Sequence, residues 1–227
     1  MISLLVPTRK RPQRLRELIN SVIETSFNPQ EILCYVADDD DSYDPSVFPE
    51  ARFVNGPRLI MSDLWNALLP HAKGDIYMLC ADDVLFRTYG WDLVVEAAFE
   101  AVPDKILLAF GDDGSPSGKI FSTLPFVHKR WVEVVGYFTG PGFSADFSDT
   151  WPFDVATMIE RTKLLPIFTE HCHHAWGKAG KDLVYQENDA RYKRDRPDLL
   201  YKQRLPERER DAEKLRKAIE EFQCGVR

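Results

Sequence analysis

The sequence predicts an α/β fold: a mostly parallel sheet flanked by helices, followed by a C-terminal helical tail. Three observations predict it. Four short apolar runs occur in the first half of the chain, and each is continuous, as strands buried on both faces require. The stretches between them carry apolar residues at the three-and-four spacing of helices. Three of the four runs are followed directly by acidic residues, and ligands of such sheets bind beyond the carboxyl ends of the strands.

The first run, Ile2 to Val6, stops at Pro7. Leu15, Leu18, Ile19, Val22 and Ile23 then mark a helix. Ile32 to Ala37 is expected to be a second strand. Ile60, Leu64, Leu68 and Leu69 suggest a helix that stops near Gly74, and Ile76 to Ala81 a third strand. Leu93, Val94, Ala97 and Ala98 suggest the next helix, and Ile106 to Phe110 the fourth strand. Beyond Gly111 the pattern breaks up. TGPGFSADFSDTWPF has a loop composition, a helix is expected from Asp154 to about Leu165, and EHCHHAWGKAGKD again resembles a loop. From about Glu207 to Phe222, a thin stripe of Ala212, Leu215, Ile219 and Phe222 predicts a helix packed on the domain or on a second subunit, so a homodimer through this helix is open. The expected division is a domain over 1–200, with halves 1–110 for the donor and 111–200 for acceptor and catalysis, and a C-terminal helix over 201–227.

The 227 residues are 44% hydrophobic and 29% charged, enough for one core without disulfides. No apolar run reaches the roughly 18 residues of a membrane span. The apolar part of MISLLVPTRK is too short for a signal peptide and its charges follow it. A cytoplasmic protein is therefore expected. Cys34, Cys80, Cys172 and Cys224 are scattered and give no zinc or disulfide spacing. A net charge of -7 speaks against sequence-independent nucleic-acid binding. Residues 191–210 are an exception, with a net charge of +4. They read as a solvated surface or as a place for phosphate.

The chemistry is expected at the strand exits: Pro7-Thr8-Arg9, Asp38 to Asp41, Asp82-Asp83 and Gly111-Asp112-Asp113. Adjacent carboxylates raise each other's pKa unless a cation offsets them. Asp82-Asp83 therefore reads as half of a site for Mg²⁺ or Mn²⁺, completed by substrate phosphate oxygens. The competing reading is a helix or turn cap. The Asp38 to Asp41 run is either a solvated turn or a set of acceptors for a ribose or base edge. No Gly-rich dinucleotide fingerprint and no P-loop occurs.

These exits resemble family 2 glycosyltransferases, which have the GT-A fold (Rossmann-like). The opening ISLLVPTRKRP is similar to theirs. Asp39-Asp40-Asp41-Ser42-Tyr43-Asp44 fits their D-D-G-S-x-D, with Asp41 in place of Gly. Asn66 and Gly74-Asp75-Ile76-Tyr77 fit their Asn helix and G-[DE]-Y-I strand, and Ala81-Asp82-Asp83 fits their D-x-D without its first Asp. The resemblance implies a metal-dependent transfer from a nucleotide-sugar donor, a UDP-sugar before others, to an acceptor hydroxyl, with inversion if a carboxylate base lies in line. Pro7, Thr8, Arg9, Asp39, Asp40, Asn66 and Asp82 would contact the donor. Asp83 would bind the metal, joined by a later histidine, His173 slightly before His171. Arg9 or Lys178 would offset charge on the leaving group. The base would be Asp149, or failing it Asp146, unless Asp149 merely caps the next helix. Trp151 and Phe153 would form a sugar platform or core. The acceptor stays open between a glycan, a lipid-linked sugar, a small molecule, a protein and a modified DNA base. A metal-dependent phosphatase or phosphotransferase and a non-catalytic nucleotide-sugar binding protein are the alternatives. An Asp83 tied to a lysine or arginine, with no room for an ion carrying phosphate, would exclude the metal reading.

Overall fold

The computed structural model describes residues 1–225. An eight-stranded sheet runs through it in the order β3-β2-β1-β4-β7-β6-β8-β5. β1 (Ile2–Pro7), β2 (Glu31–Ala37), β3 (Ala51–Gly56) and β4 (Ile76–Leu79) form a parallel half. β7 (Phe126–His128) enters antiparallel between β4 and β6 (Leu108–Asp112). β8 (Thr162–His171) runs parallel to β6 and antiparallel to the short β5 (Val84–Phe86).

Alternate residues of β1 serve opposite faces, as the pleat requires. Ile2, Leu4 and Val6 pack with Leu15, Leu18 and Ile19 of α1 (Pro12–Thr25) and with Trp91 and Val95 of α3 (Trp91–Glu100). Leu5 faces the other layer. That layer holds Trp65 and Leu68 of α2 (Met61–Leu68), Trp131 of α4 (Lys129–Val135) and Trp151 of α5 (Thr150–Met158). Covering both faces explains why β1, β2 and β4 are almost wholly apolar, whereas the edge strand β3 carries Arg52 and Asn55.

α8 (Leu205–Gly225) packs on its own domain, against α4 and α5, through Ala212, Leu215 and Ile219. Phe222, the fourth residue of the expected stripe, is exposed. The last two residues of the expected 201–227 tail lie outside the described residues.

Two parts of the second half differ from expectation. The helix expected to reach Leu165 ends at Met158, and Thr162–His171 is a strand. Leu165, Ile167 and Thr169 are buried in alternation, a period of two that Leu164 and Pro166 hide in the sequence. Pro166 falls where the β6–β8 ladder shifts register between Phe110 and Asp112, so its missing N–H breaks no regular rung. Between the expected loop, which ends at Asp182, and the C-terminal helix, where the sequence predicts no element, lie α6 (Leu183–Asp195) and α7 (Pro197–Gln203), which carry part of the basic stretch 191–210. Arg196, in the left-handed region at φ 47, separates them, and Pro197 starts α7.

Asn66 holds the turn after α4. Its Oδ1 accepts from the amides of Phe138 (3.0 Å) and Thr139 (3.2 Å), and its Nδ2 donates to the Thr139 carbonyl (2.9 Å). Asn66→Ala leaves three backbone groups without partners. The expected loss is about 2–3 kcal/mol of unfolding free energy, read from urea melts. A variant as stable as the parent would show that this clamp contributes nothing.

Candidate active site

A cavity of about 380 Å³ opens at the carboxyl edge of the parallel half. It gathers residues that are remote in sequence: Pro7, Thr8 and Arg9 after β1, Asp82 and Asp83 after β4, Asp146 and Asp149 before α5, and His171 and His173 around the end of β8. Nine of the residues expected to carry the chemistry thus line one space.

Asp82 and Asp83 are buried, at 4% and 6% exposure. Asp82 accepts from the Thr8 hydroxyl (2.8 Å) and from Arg11 Nη1 (3.0 Å). Burial raises its pKa, against the pull of Arg11. Asp83 accepts at Oδ2 from the Tyr185 hydroxyl, with Arg14 Nη1 at 3.5 Å and Arg11 Nη1 at 3.8 Å. Its Oδ1 lies 3.2 Å from His171 Nε2. Burial works against the charge on Asp83, but its contacts with His171, Tyr185 and Arg11 hold its pKa below the usual range. Asp83 is therefore within ion-pair reach of two arginines, as the excluding case specified, yet open space adjoins it.

His171 reaches Asp83 because of the β5–β8 ladder. Val84 is opposite His171, and the Cys172 amide donates to the Asp83 carbonyl (2.7 Å). His173 sits differently. Its Nδ1 accepts from the Ala175 amide (3.2 Å), which caps the short turn His174–Trp176. Burial, aided by neighbouring His171, pushes its pKa down to about 4, so the ring is neutral at pH 7 and its proton lies on Nε2. Among the described residues, no cluster of three or more His, Cys, Asp or Glu side chains is arranged to hold a metal. Asp83 and His171 are the pair that meets. Their 3.2 Å separation equals that of two neighbouring ligands each about 2.1–2.2 Å from one ion.

The remaining expected donor contacts divide. Arg9 forms a two-pronged pair with Asp39, at 2.6 and 3.0 Å, beside the cavity. Asp40 is a turn builder, accepting from the Lys10 amide (2.7 Å) and the Ser42 amide (3.1 Å). Asn66 lies outside the cavity in the clamp described above. Lys178 also lies outside, paired with Glu170 at 3.2 Å.

Asp149 caps α5 with one oxygen: Oδ1 accepts from the amide and hydroxyl of Thr150 (2.7 and 3.1 Å). Burial pushes its pKa up to about 6. Asp146 is also raised by burial, helped by Asp189. Asp146 and Phe147 both lie in the left-handed region, at φ 52 and 58, a conformation that costs about 1–2 kcal/mol per residue. Phe147 stacks on Tyr201 (4.6 Å between ring centroids), which helps hold this turn. Trp151 belongs to the core, at 1% exposure, and Phe153 packs edge-on against Phe110 and Phe121.

Sequence reasoning missed Arg11, Arg58, Thr123, Tyr185 and Arg191, all of which line the cavity. Arg11 stands inside the RKRP opening, and Arg191 in the basic stretch that reads as a solvated surface or as a place for phosphate. Arg58 pairs with Glu187. Arg191 is half-buried; burial and the nearby charge of Arg58 lower its pKa.

No protein-family model matches the sequence, and a search of curated proteins finds no match. Solved structures do match. The mannosyltransferase PcManGT from Pyrobaculum calidifontis, in complex with GDP-Man and Mn²⁺, superposes with a TM-score of 0.59 at 16% identity, over 77% of this chain and 59% of that one. S. aureus TarS in complex with UDP-GlcNAc gives 0.52 at 16%, over 82% and 63%. Glucosyl-3-phosphoglycerate synthase from Mycobacterium tuberculosis, in complex with Mn²⁺, UDP-Glc and phosphoglyceric acid, gives 0.54 at 12%, over 81% and 73%. This chain therefore spans less than two thirds of the first two. No helix among the described residues is long and apolar enough to cross a membrane. The chain has the GT-A fold of the glycosyltransferases.

Proposed function

We propose that this protein is a metal-dependent, inverting glycosyltransferase that moves a sugar from a nucleotide-diphosphate sugar to an acceptor hydroxyl. The observation that carries the reading is the single cavity in which the β1 exit, the Asp82-Asp83 pair and Asp149 meet. The nucleoside end of the donor lies against Pro7, Thr8 and Arg9, with Asp39 holding Arg9 in place. Arg191 draws the diphosphate, because it lines the cavity and has no acidic hydrogen-bond or ion-pair partner among the described residues, whereas Arg58 beside it is paired with Glu187.

Asp83 and His171 are the residues that would hold a divalent cation. Bound there, the cation would offset the negative charge that grows on the departing diphosphate. His173 is the poorer donor, since its lone pair is spent on the Ala175 amide. The acceptor oxygen attacks the anomeric carbon as the bond from that carbon to the phosphate oxygen breaks. The acceptor proton passes to Asp149, whose Oδ2 is free of hydrogen bonds among the described residues. Asp146, on the same turn, is the second candidate for that role. A cytoplasmic setting and a UDP-sugar donor remain part of this reading, and the acceptor stays unassigned.

A thermal-shift panel of UDP- and GDP-sugars with and without Mn²⁺ tests the donor and metal together, since a ligand of the folded state raises Tm by mass action. The expected result is a shift that grows with Mn²⁺ for one nucleotide class and loses its Mn²⁺-dependent part in Asp83→Ala. An undiminished shift in that variant removes Asp83 from the metal site. Steady hydrolysis of simple phosphate esters, with no sugar transfer, would favour the phosphatase alternative instead.

The base makes a separate prediction. A carboxylate with its pKa raised to about 6 is protonated below that pH and works as a base above it. Transfer measured as kcat/KM should therefore rise through about pH 6 and level off above it. Asp149→Asn should lower kcat by about 10²–10⁴-fold with donor binding kept. A fully active variant ends the candidacy of Asp149.

A further inference from the structure

His171 is held from behind by a relay that the proposed reaction does not itself require. Asp113 is fully buried at 0% exposure. Its carboxylate accepts from the Ser115 amide (2.9 Å) at Oδ1, and from the Thr123 amide (2.9 Å) and hydroxyl (3.1 Å) at Oδ2. Both oxygens of this carboxylate are thus occupied as acceptors, and a carboxylate only accepts. The single hydroxyl proton of Thr123 therefore points to Asp113. The same Thr123 oxygen lies 2.9 Å from His171 Nδ1, and with its proton committed it can only accept there. Nδ1 must then carry hydrogen, and Nε2 is the atom turned towards Asp83 Oδ1. The backbone repeats the clamp, since the His171 amide donates to the Asp113 carbonyl (2.9 Å).

We propose that Asp113, acting through the Thr123 hydroxyl, fixes the Nδ1–H tautomer and the ring orientation of His171, so that Nε2 is presented beside Asp83 as a ligand for a divalent cation. Asp113 and Thr123 are thus positioning residues. The inference rests on the metal reading above and adds to it the means by which one histidine of the His171-Cys172-His173-His174 run is selected. The two neighbours bear this out by contrast. His173 Nδ1 is occupied as an acceptor, and His174 Nδ1 is buried without a partner among the described residues. Only His171 has an acceptor placed behind its Nδ1. Partners of this kind typically change metal affinity by 10–100-fold when removed.

The test uses the full chain and Mn²⁺, with free Mn²⁺ read by electron paramagnetic resonance, alone and with UDP or GDP. Thr123→Val keeps the amide bond to Asp113 and removes only the hydroxyl. It should weaken Mn²⁺ binding by about 10–100-fold, while Thr123→Ser restores it. If His171→Ala loses Mn²⁺ but Thr123→Val keeps it, the relay is overturned and the metal reading stands. If His171→Ala binds Mn²⁺ as the parent does, both are overturned. A measurement on the unmutated protein guards against a variant that fails to fold. In the Mg²⁺-loaded protein, ¹⁵N spectra should show one histidine, identified by its loss in His171→Ala, with hydrogen on Nδ1 and none on Nε2. Hydrogen on Nε2 instead would refute the tautomer assignment.

Discussion

Two adjacent buried carboxylates govern this structure. Taking one unpaired carboxylate out of water costs several kcal/mol, and two neighbours repel besides. Asp82 and Asp83 are tolerated because five side chains from four elements converge on them. Thr8 comes from the β1 exit, Arg11 and Arg14 from the start of α1, His171 from the end of β8 and Tyr185 from α6. Removing one partner of such a buried charge typically costs 3–5 kcal/mol, so the site and the closure of the fold are one energetic problem. The same arrangement has a chemical consequence. Arg11 answers Asp82, while Asp83 is shared between Arg14 and Tyr185 on one oxygen and His171 on the other. The oxygen beside His171 is the one not committed to an arginine or a hydroxyl.

Three of the four parallel strands, β1, β2 and β4, were legible because their physics is local, whereas the half-exposed edge strand β3, ARFVNG, has no continuous apolar run to announce it. A strand buried on both faces must be apolar throughout, and Ile2–Pro7 and Glu31–Ala37 satisfy this almost without exception. The exits follow from the strands, which is why Thr8, Arg9, Asp82 and Asp83 could be named before any geometry was known. Asn66 and Lys178 could not be placed that way. Both sit at suitable points along the chain, but one is consumed by the Phe138–Thr139 turn and the other by Glu170. Sequence position does not reveal what a polar side chain will find within 3 Å.

The second half was poorly legible for a different reason. β8 reads TKLLPIFTEH, in which exposed Leu164 and the irregular rung at Pro166 blur a period of two into an apolar run. The choice between His171 and His173 depended on that strand. Only once β8 pairs with β5 does His171 fall beside Asp83, and only then does Thr123, 48 residues away, fall behind it. No spacing rule encodes such a contact.

α6 shows most plainly how function can hide a helix. Tyr185 is its one buried residue, so it carries no apolar stripe by which to be recognised. It is held at the cavity by polar contacts instead. Asp182 caps its first turn while also meeting Arg11, the Tyr185 hydroxyl reaches Asp83, and Glu187 pairs with Arg58 and lies 3.9 Å from Arg9. Every one of these partners belongs to the cavity wall or its rim. A helix fixed in this way has no reason to be amphipathic. Its place is set by the charges of the site, so the pattern that betrays a packing helix is missing where the chain turns from building a core to building a pocket.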